Sequence, residues 1–326
     1  MMEYIKLNLQ LFAEMNTNTT LDSGLSVENK TFYDMTLIDE AQANLVHDQF
    51  AQKRPIPKNG GKTIEFRKFA SLPKALTALT EGVTPDGKKL TASSITAEVA
   101  QYGDYIVQSD ILELTSIDNT IVEATKILGR QAGLTLDTIT RNVLAGHTNV
   151  FWCPKADGTA VDKTSDLDNT CKLTVAVIKR AVANLKKNNA PKIDGSYVAI
   201  IHPYVAHDLM CDPEWIDAHK YAQPENLYEG EIGKIAGVRF VETSDAYVKD
   251  GVYSTLLMGA NAYGVTEITG GGLQTIIKQK GSAGTADPLD QRSSIGWKAI
   301  KTAEILVEPY LIRIESKSDF DDIENN

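Results

Sequence analysis

Three histidines and a cysteine in one short stretch offer the donor set of a zinc site. His202, His207, Cys211 and His219 supply imidazole and thiolate groups, which zinc prefers as ligands. His207 and Cys211 lie one helical turn apart and would share a helix face. Structural zinc sites, however, usually take ligand pairs about two to four residues apart from two separate segments. A metal-dependent enzyme is therefore an alternative hypothesis, and the competing interpretation is a helical histidine beside a buried cysteine.

Two glycine-containing segments have the residue types of phosphate-binding loops but not the spacing. Gly61-Lys62-Thr63 ends like a P-loop, yet the motif's earlier glycine is replaced by Ile56. A P-loop also opens a helix, whereas this segment precedes a strand-like alternation. The glycine run at 270–272 lacks the spacing of a dinucleotide fingerprint. The first segment is better interpreted as a hairpin turn and the second as a loop.

Nucleophilic and calcium-binding patterns are also missing from the sequence. No GxSxG motif exists, and no histidine stands at a spacing that would support Cys153 as a nucleophile. Asp157, Asp162, Asp166 and Asp168 crowd one loop but lack the order of an EF-hand. The sequence therefore predicts no catalytic, cofactor-binding or metal-binding residue, and we expect a protein that is not an enzyme.

Composition excludes several further classes. The 326 residues include 33 Lys+Arg against 43 Asp+Glu, a net charge of −10, which argues against a protein that grips nucleic acid. No apolar run is long enough to span a membrane. Cys153, Cys171 and Cys211 are odd in number and far apart, which argues against a framework of paired disulfides. The chain reads as a globular protein whose cysteines are reduced.

The first half of the chain contains segments that cannot form a core by themselves. Residues 1–30 alternate briefly in strand period and then become polar, so we expect an extended arm rather than a signal peptide. Residues 31–53 have helical periodicity. Between 59 and 108, two strand patterns flank a polar stretch rich in Gly and Pro. A two-stranded excursion of that length is expected to dock on a partner.

The second half predicts a mixed α+β architecture. In residues 117–146, the apolar positions recur at intervals of three and four residues. This spacing indicates one long helix that ends at Gly146. Helices are predicted over 173–185 and from Pro203, and strands over 197–201, 238–241, 253–258 and 274–278. Residues 305–315 are predicted to form one long strand, in which Pro309 indicates an edge or a bulge. The acidic tail 316–326 is predicted to be disordered. The predicted arm and two-stranded excursion cannot bury their apolar residues within their own chain. They therefore favour a subunit that assembles with copies of itself.

Three stretches carry a resemblance to a known family. These are KLNLQLFA near the N-terminus, YVAIIHPYVAHDLMCDPEW followed by YEGEIGKIAGVRFVET in the middle, and DPLDQRSSIGWKAIKTAEILVEPYLIRIES near the C-terminus. The chain resembles the major capsid proteins of tailed bacteriophages, in the branch similar to the N4-like phages. The resemblance extends over about residues 15–315.

The resemblance implies an α+β fold, the tailed-phage major capsid fold, with named parts. They are an N-terminal arm (1–58), an E-loop (59–108), a P-domain spine helix and linker (109–169), an A-domain (170–284), a P-domain return strand (285–315) and an acidic tail (316–326).

The resemblance also implies a function in the virion. The subunit would assemble in the host cytoplasm into hexamers and pentamers of an icosahedral capsid, with scaffold and portal proteins as partners. It would enclose double-stranded DNA without sequence-specific binding and without a membrane. An encapsulin-like compartment protein, with the same fold and a cargo enzyme, is the alternative.

Apolar residues of the E-loop are the candidate contacts between subunits. They are Phe66, Phe69, Leu72, Leu76 and Leu79. We expect them to lie against a neighbouring copy, because exposed apolar patches often mark interfaces. The competing interpretation is a small local cluster inside the loop.

Overall fold

The computed structural model describes Leu37 and residues 45–69, 72–79, 81–84, 86–115, 120–222, 233–266, 271–282 and 287–322. The helices in these ranges are α1 (Asp110–Thr115), α2 (Thr120–Ala145), α3 (Val175–Lys187), α4 (Pro203–Met210) and α5 (Pro213–Ala222). The strands are β1 (Gln52–Lys53), β2 (Thr63–Phe69), β3 (Ala92–Glu98), β4 (Ala100–Ser109), β5 (Val150–Trp152), β6 (Tyr197–Ile201), β7 (Lys234–Ile235), β8 (Val238–Glu242), β9 (Val248–Lys249), β10 (Val252–Met258), β11 (Tyr263–Thr266), β12 (Gln274–Lys278), β13 (Arg292–Ile305) and β14 (Leu311–Ser316).

The described strands form two sheets and a separate hairpin. A seven-stranded sheet has the order β5-β14-β10-β6-β8-β7, with β9 beside β10. A five-stranded sheet has the order β1-β11-β13-β12, with β4 also paired to β13. The hairpin pairs β2 with β3 from Thr63↔Glu98 to Phe69↔Ala92. The architecture is therefore mixed α+β, as the sequence predicts.

Helix α2 is the predicted long helix, and it covers one face of the five-stranded sheet. Leu128, Ala132 and Leu136 recur every four residues, so they share one face and are buried in one cluster with Trp297 of β13. The amide of Gly146 donates to the carbonyl of Asn142 (3.1 Å) as the helix ends. The sequence predicts a packed stripe of Ile121, Ala124, Leu128, Ala132, Thr135, Ile139 and Val143. The buried face follows this stripe as far as Ala132 and then continues one residue later, through Leu136, Thr140 and Leu144, so the second half of the predicted stripe is wrong.

The seven-stranded sheet has buried central strands, and α3 packs in the same core. Every residue of β6 and β10 is buried. Strand β6 accordingly forms an unbroken apolar run, whereas β10 also buries Ser254 and Thr255. Ile178, Ala181 and Leu185 of α3 lie in one core cluster with Leu257 of β10. The predicted strand at 197–201 and the helix start at Pro203 match the structure.

The prediction of one strand over 305–315 is wrong. Strand β13 ends at Ile305, the chain makes a 3-10 turn at Glu308–Tyr310, and β14 then begins at Leu311. The amides of Leu306 and Val307 both donate to the carbonyl of Ala262 (2.9 and 3.0 Å). The chain uses this turn, which contains a proline, to pass from the five-stranded to the seven-stranded sheet.

Sheet membership also differs from the predicted division into domains. Strands β11 and β12 fall within the range predicted for the A-domain (170–284), but they pair with β13 in the five-stranded sheet. Strands β5 and β14 fall within the ranges predicted for the P-domain, but they belong to the seven-stranded sheet. Strand β4 pairs with β13 and not with the hairpin, so the excursion that stands apart ends at Glu98 rather than at 108.

Two terminal predictions need correction where the structure describes the chain. Leu37 is helical, but residues 47–50 form a turn and β1 pairs in parallel with β11, so the predicted helix does not reach 53. The tail is ordered through residue 322: Phe320 stacks on Tyr204 of α4 with ring centroids 4.4 Å apart. The predicted arm (1–30) lies outside the described residues.

A buried polar cluster ties the segment before β1 to α2. His47 donates its amide to Asp137 Oδ1 (2.7 Å), and its Nδ1 lies 2.6 Å from Asp137 Oδ2. Both side chains are buried. The hydroxyl of Tyr263, in β11, donates to the carbonyl of His47. Burial, followed by the charges of Asp48 and Asp137, raises the pKa of Tyr263 well above its usual range.

An ion pair extends the same cluster to β13. Lys301 Nζ binds the Asp48 carboxylate and also donates to the carbonyl of Leu136 (2.8 Å). Thr140 Oγ1 donates to the other Asp48 oxygen (2.6 Å). The Lys301 and Asp48 side chains are 6% and 12% exposed. At that burial, an unpaired charge would cost several kcal/mol, so the pair fixes the segment at residue 48 against both α2 and β13.

We predict that Lys301→Met lowers the free energy of unfolding by about 3 kcal/mol, because it leaves the Asp48 carboxylate buried without its cation. Urea unfolding followed by tryptophan fluorescence measures the change. Lys126→Met is the matched control: its ion pair with Glu123 is exposed, and we expect a loss below about 0.5 kcal/mol. The double variant Asp48→Asn/Lys301→Met should recover part of the loss; equal losses in the single and double variants would contradict the pairing.

Candidate assembly surfaces

The tip of the hairpin exposes a row of apolar side chains. Leu72, Leu76 and Leu79 are 55%, 85% and 77% exposed, and Val83 and Leu90 are exposed as well. A two-stranded ribbon has no second layer that could cover them. Three of the five predicted contact residues therefore lie on the surface and contribute little to the subunit's own core.

The root of the hairpin is anchored, and this changes the role of Phe66. The Phe66 side chain is buried, and a Cβ on Gly264 would lie 3.1 Å from two of its ring carbons. Arg54 places its guanidinium 5.8 Å from the ring centroid. Phe66 is thus packed within its own chain, whereas the side chain of Phe69 lies outside the described residues.

A second apolar surface runs along the outer side of α2. Ile127 and Leu134 are 60% and 45% exposed. With Tyr102 and Ile139 they line a shallow groove of about 550 Å³ with few polar atoms. Both residues lie outside the apolar stripe that the sequence predicts for this helix, so their exposure agrees with that pattern.

A third surface lies on the outer face of the five-stranded sheet. Tyr105 of β4 and Ile276 of β12 are exposed on either side of Gly296 in β13. A Cβ on Gly296 would lie 2.7 Å from the Tyr105 Cβ, so only glycine fits between them. The adjoining groove measures about 490 Å³. Next to Tyr105, hydrogen bonds from Gln131 and from the Tyr105 amide lower the pKa of Asp104.

Of the candidate zinc ligands, His207 and Cys211 lie near each other, and His202 has a separate role at the start of α4. His202 Nδ1 accepts from the Tyr204 amide (3.2 Å), as an N-cap of α4. His207 Nε2 lies 4.0 Å from Cys211 Sγ, and the side chain of His219 lies outside the described residues. No group of three or more metal-binding side chains occurs in the part of the chain that the structure describes.

The other chemical candidates have structural roles. Gly61 has φ +90° just before β2 begins at Thr63, which is the turn expected from the sequence. In the acidic loop, the Thr170 hydroxyl and then Lys155 hold the pKa of Asp168 well below its usual range. Hydrogen bonds from Thr159 lower the pKa of Asp157. These carboxylates are thus engaged with their own loop.

The exposed surfaces of the chain define the class of protein to which it belongs. The described residues carry exposed apolar rows on a hairpin, a helix and a sheet, and no helix among them is long and apolar enough to cross a membrane. Large exposed apolar surfaces of this kind mark sites of protein association. The chain has the features of a structural subunit that buries these surfaces in an assembly.

The comparisons identify the family. The model of the phage capsid protein family matches residues 3–269, and the chain belongs to that family. No curated protein matches the chain. The capsid of cyanophage P-SCSP1u is similar with a TM-score of 0.67 at 12% identity, over 84% of this chain and 89% of that chain. The capsid of cyanophage Pam1 gives 0.64 at 15% identity, over 86% and 92%.

A particle from a cell gives a weaker match. A virus-like particle from Pyrococcus furiosus is similar with a TM-score of 0.52 at 10% identity, over 88% of this chain and 99% of that chain. At such identities the structural likeness shows the fold, and the family shows the function. The protein is a shell subunit of a phage capsid and a structural component of the virion, not an enzyme.

We predict that Phe66→Ala loosens the root of the hairpin, with a local loss of roughly 3 kcal/mol, because it empties the space over Gly264. Hydrogen exchange of the β2 and β3 amides should accelerate accordingly. Leu76→Ala, at an exposed site, should change stability by less than about 0.5 kcal/mol. Unchanged exchange in Phe66→Ala would show that the ring does not anchor the hairpin.

Proposed function

We propose that this subunit forms the hexamers and pentamers of a closed icosahedral capsid around double-stranded DNA. The observation that carries the proposal is the leucine row at the hairpin tip, which the described chain leaves exposed. Exposing a row of apolar side chains to water costs free energy. Burying the row against a neighbouring copy removes that cost. The net charge of −10 suits a shell that encloses DNA without gripping its phosphates.

In this proposal, the hairpin of one copy lies on α2 of the next. The groove at Ile127 and Leu134 offers an apolar surface of matching character, and both partners occur on every copy. A contact between two different surfaces of identical subunits repeats around a ring and closes when the rotation closes. The N-terminal arm would reach a further neighbour, as its composition suggests.

The parts of the tailed-phage capsid fold can be assigned within this proposal. The E-loop corresponds to the hairpin of β2 and β3, and the spine helix to α2. The P-domain would contain the five-stranded sheet, including β13, and the A-domain would contain the seven-stranded sheet, including β14. These assignments follow sheet membership rather than the boundaries drawn from the sequence.

We further infer membership in the branch that resembles the N4-like phages. Support comes from the central stretch at 197–215, which forms β6, α4 and the start of α5. A capsid structure from that branch should superpose on this chain with a TM-score above the 0.67 of the cyanophage capsid. Scaffold and portal proteins are the expected partners during assembly in the host cytoplasm.

An encapsulin-like compartment is the second candidate, favoured by the Pyrococcus furiosus particle alone. The two functions differ in their contents: packaged DNA for a capsid and a cargo enzyme for a compartment. Nuclease-resistant DNA in particles purified from infected cells would decide between them.

We predict that Leu76→Asp/Leu79→Asp abolishes shell formation while circular dichroism stays that of the parent, because both side chains are exposed in the subunit and would place charges in an apolar contact. Ile127→Asp, in the α2 groove, should have the same effect. Sedimentation and electron microscopy measure assembly with scaffold present. Leu289→Asp is the matched control, since Leu289 is 76% exposed but lies outside both surfaces. Normal shells from the double variant would refute the contact.

We also predict that deletion of residues 72–90 leaves a folded subunit that forms no shells. Phe69 pairs with Ala92, so the deletion leaves a three-residue connection, a length that hairpins accommodate. The midpoint of urea unfolding of the deletion variant should equal that of the parent protein for both sheets. Assembled particles of normal size would contradict the proposal that the tip joins neighbours.

A further inference from the structure

Two of the three cysteines lie in one part of the interior. Cys153 and Cys171 are both fully buried, and both belong to the core cluster of the seven-stranded sheet. Cys211 is exposed at the end of α4. The sequence, which separates the first two by a long polar loop, gives no sign of this proximity.

Backbone pairing places Cys153 and Cys171 side by side along β14. The Cys153 amide donates to the carbonyl of Glu315 (3.0 Å), and the amide of Lys317 donates to the carbonyl of Cys171 (2.9 Å). Glu315 and Lys317 are two residues apart at the end of β14, so these two hydrogen bonds hold the backbones of Cys153 and Cys171 beside each other. Neighbouring backbones of this kind meet the first requirement of a disulfide, which needs Cα atoms a few ångströms apart.

The intervening loop returns to its starting point through its own contacts. Lys155 Nζ lies 3.0 Å from Asp168 Oδ2. The amide of Ala156 donates to Thr170 Oγ1 (3.3 Å). Residues just after Cys153 therefore contact residues just before the second cysteine, which is the arrangement expected at the base of a loop that a disulfide could close.

We propose that Cys153 and Cys171 form a disulfide when the particle meets a small-molecule disulfide such as oxidised glutathione outside the host. One cysteine thiolate attacks the glutathione disulfide and releases the first glutathione thiolate. The second cysteine thiolate attacks the mixed disulfide and releases the other glutathione. The protein loses two electrons and two protons, and two molecules of reduced glutathione carry both away.

The redox environment and the burial of the thiols explain why the disulfide would form only after the particle leaves the host. Inside a cell, the reducing pool keeps thiols reduced. Burial, and to a lesser extent the neighbouring Cys171, raises the pKa of the Cys153 thiol far above its usual range. Because the thiolate is the reactive form, oxidation is slower than the reaction of exposed Cys211. The subunit therefore folds and assembles with both thiols free and closes the loop later.

Peptide mapping tests the site without any substitution. Assembled particles are incubated with oxidised glutathione, denatured in N-ethylmaleimide and cut with trypsin. Cleavage after Arg141, Lys155, Lys163 and Lys172 should give residues 142–155 linked to residues 164–172, a species that reduction removes. Alkylation of both cysteines with no linked species after prolonged incubation would overturn the proposal, and so would a link from either one to Cys211.

Thermal stability gives a second test. Oxidation should raise the unfolding midpoint on the order of 5 °C, because the bond closes the loop at 154–170. The Cys211→Ser variant should gain equally, and Cys171→Ser should gain nothing. An equal gain in Cys171→Ser would show that the pair is not the cause. Should that variant fail to fold, the peptide map of the unaltered chain decides.

Discussion

The buried polar cluster around Asp48 and Asp137 is the constraint on which the arrangement of the subunit depends. Apolar side chains tolerate shifts of packing, whereas buried charges must keep their partners. Asp137 binds His47, while Asp48 binds Lys301 and Thr140. Together these bonds connect the segment before β1, α2 and β13 to one another. The segment at residues 47–48 is therefore held against α2 and β13 before the chain continues into β1.

The passage between sheets extends this constraint to the rest of the molecule. Strand β13 carries Lys301 in the five-stranded sheet, and a short turn leads directly into β14 of the seven-stranded sheet. The buried polar cluster therefore constrains the positions of both sheets through the backbone that joins β13 to β14. Phe66 attaches the hairpin root to β11 over Gly264. The exposed tip projects from a rigid base, which a ribbon of two strands could not provide for itself.

Predictions from the sequence are correct for helices and strands that are defined by local periodicity. They fail where contacts with residues far along the chain determine the structure. The long helix α2 and the apolar run of β6 appear as predicted, because the period of each element is set by its own residues. Within 305–315, Pro309 indicates an edge or a bulge, but the passage of the chain from one sheet to the other at that point depends on the pairing of β13 and β14 with distant strands. Phe66 looks like its exposed neighbours in sequence, yet Gly264, far along the chain, provides the space that buries it.

The exposed leucines could each contribute only a small binding free energy, and such weak contacts can still stabilise a closed shell. Burying a leucine contributes about 1.5–3 kcal/mol, and association first costs several kcal/mol of lost freedom. A single hairpin contact of Leu72, Leu76 and Leu79 would thus leave two subunits weakly bound. In the proposed ring, however, each copy would donate one hairpin and receive another, and closure would add contacts without a further association cost. The same residues that leave a lone subunit dispersed would therefore stabilise the complete shell.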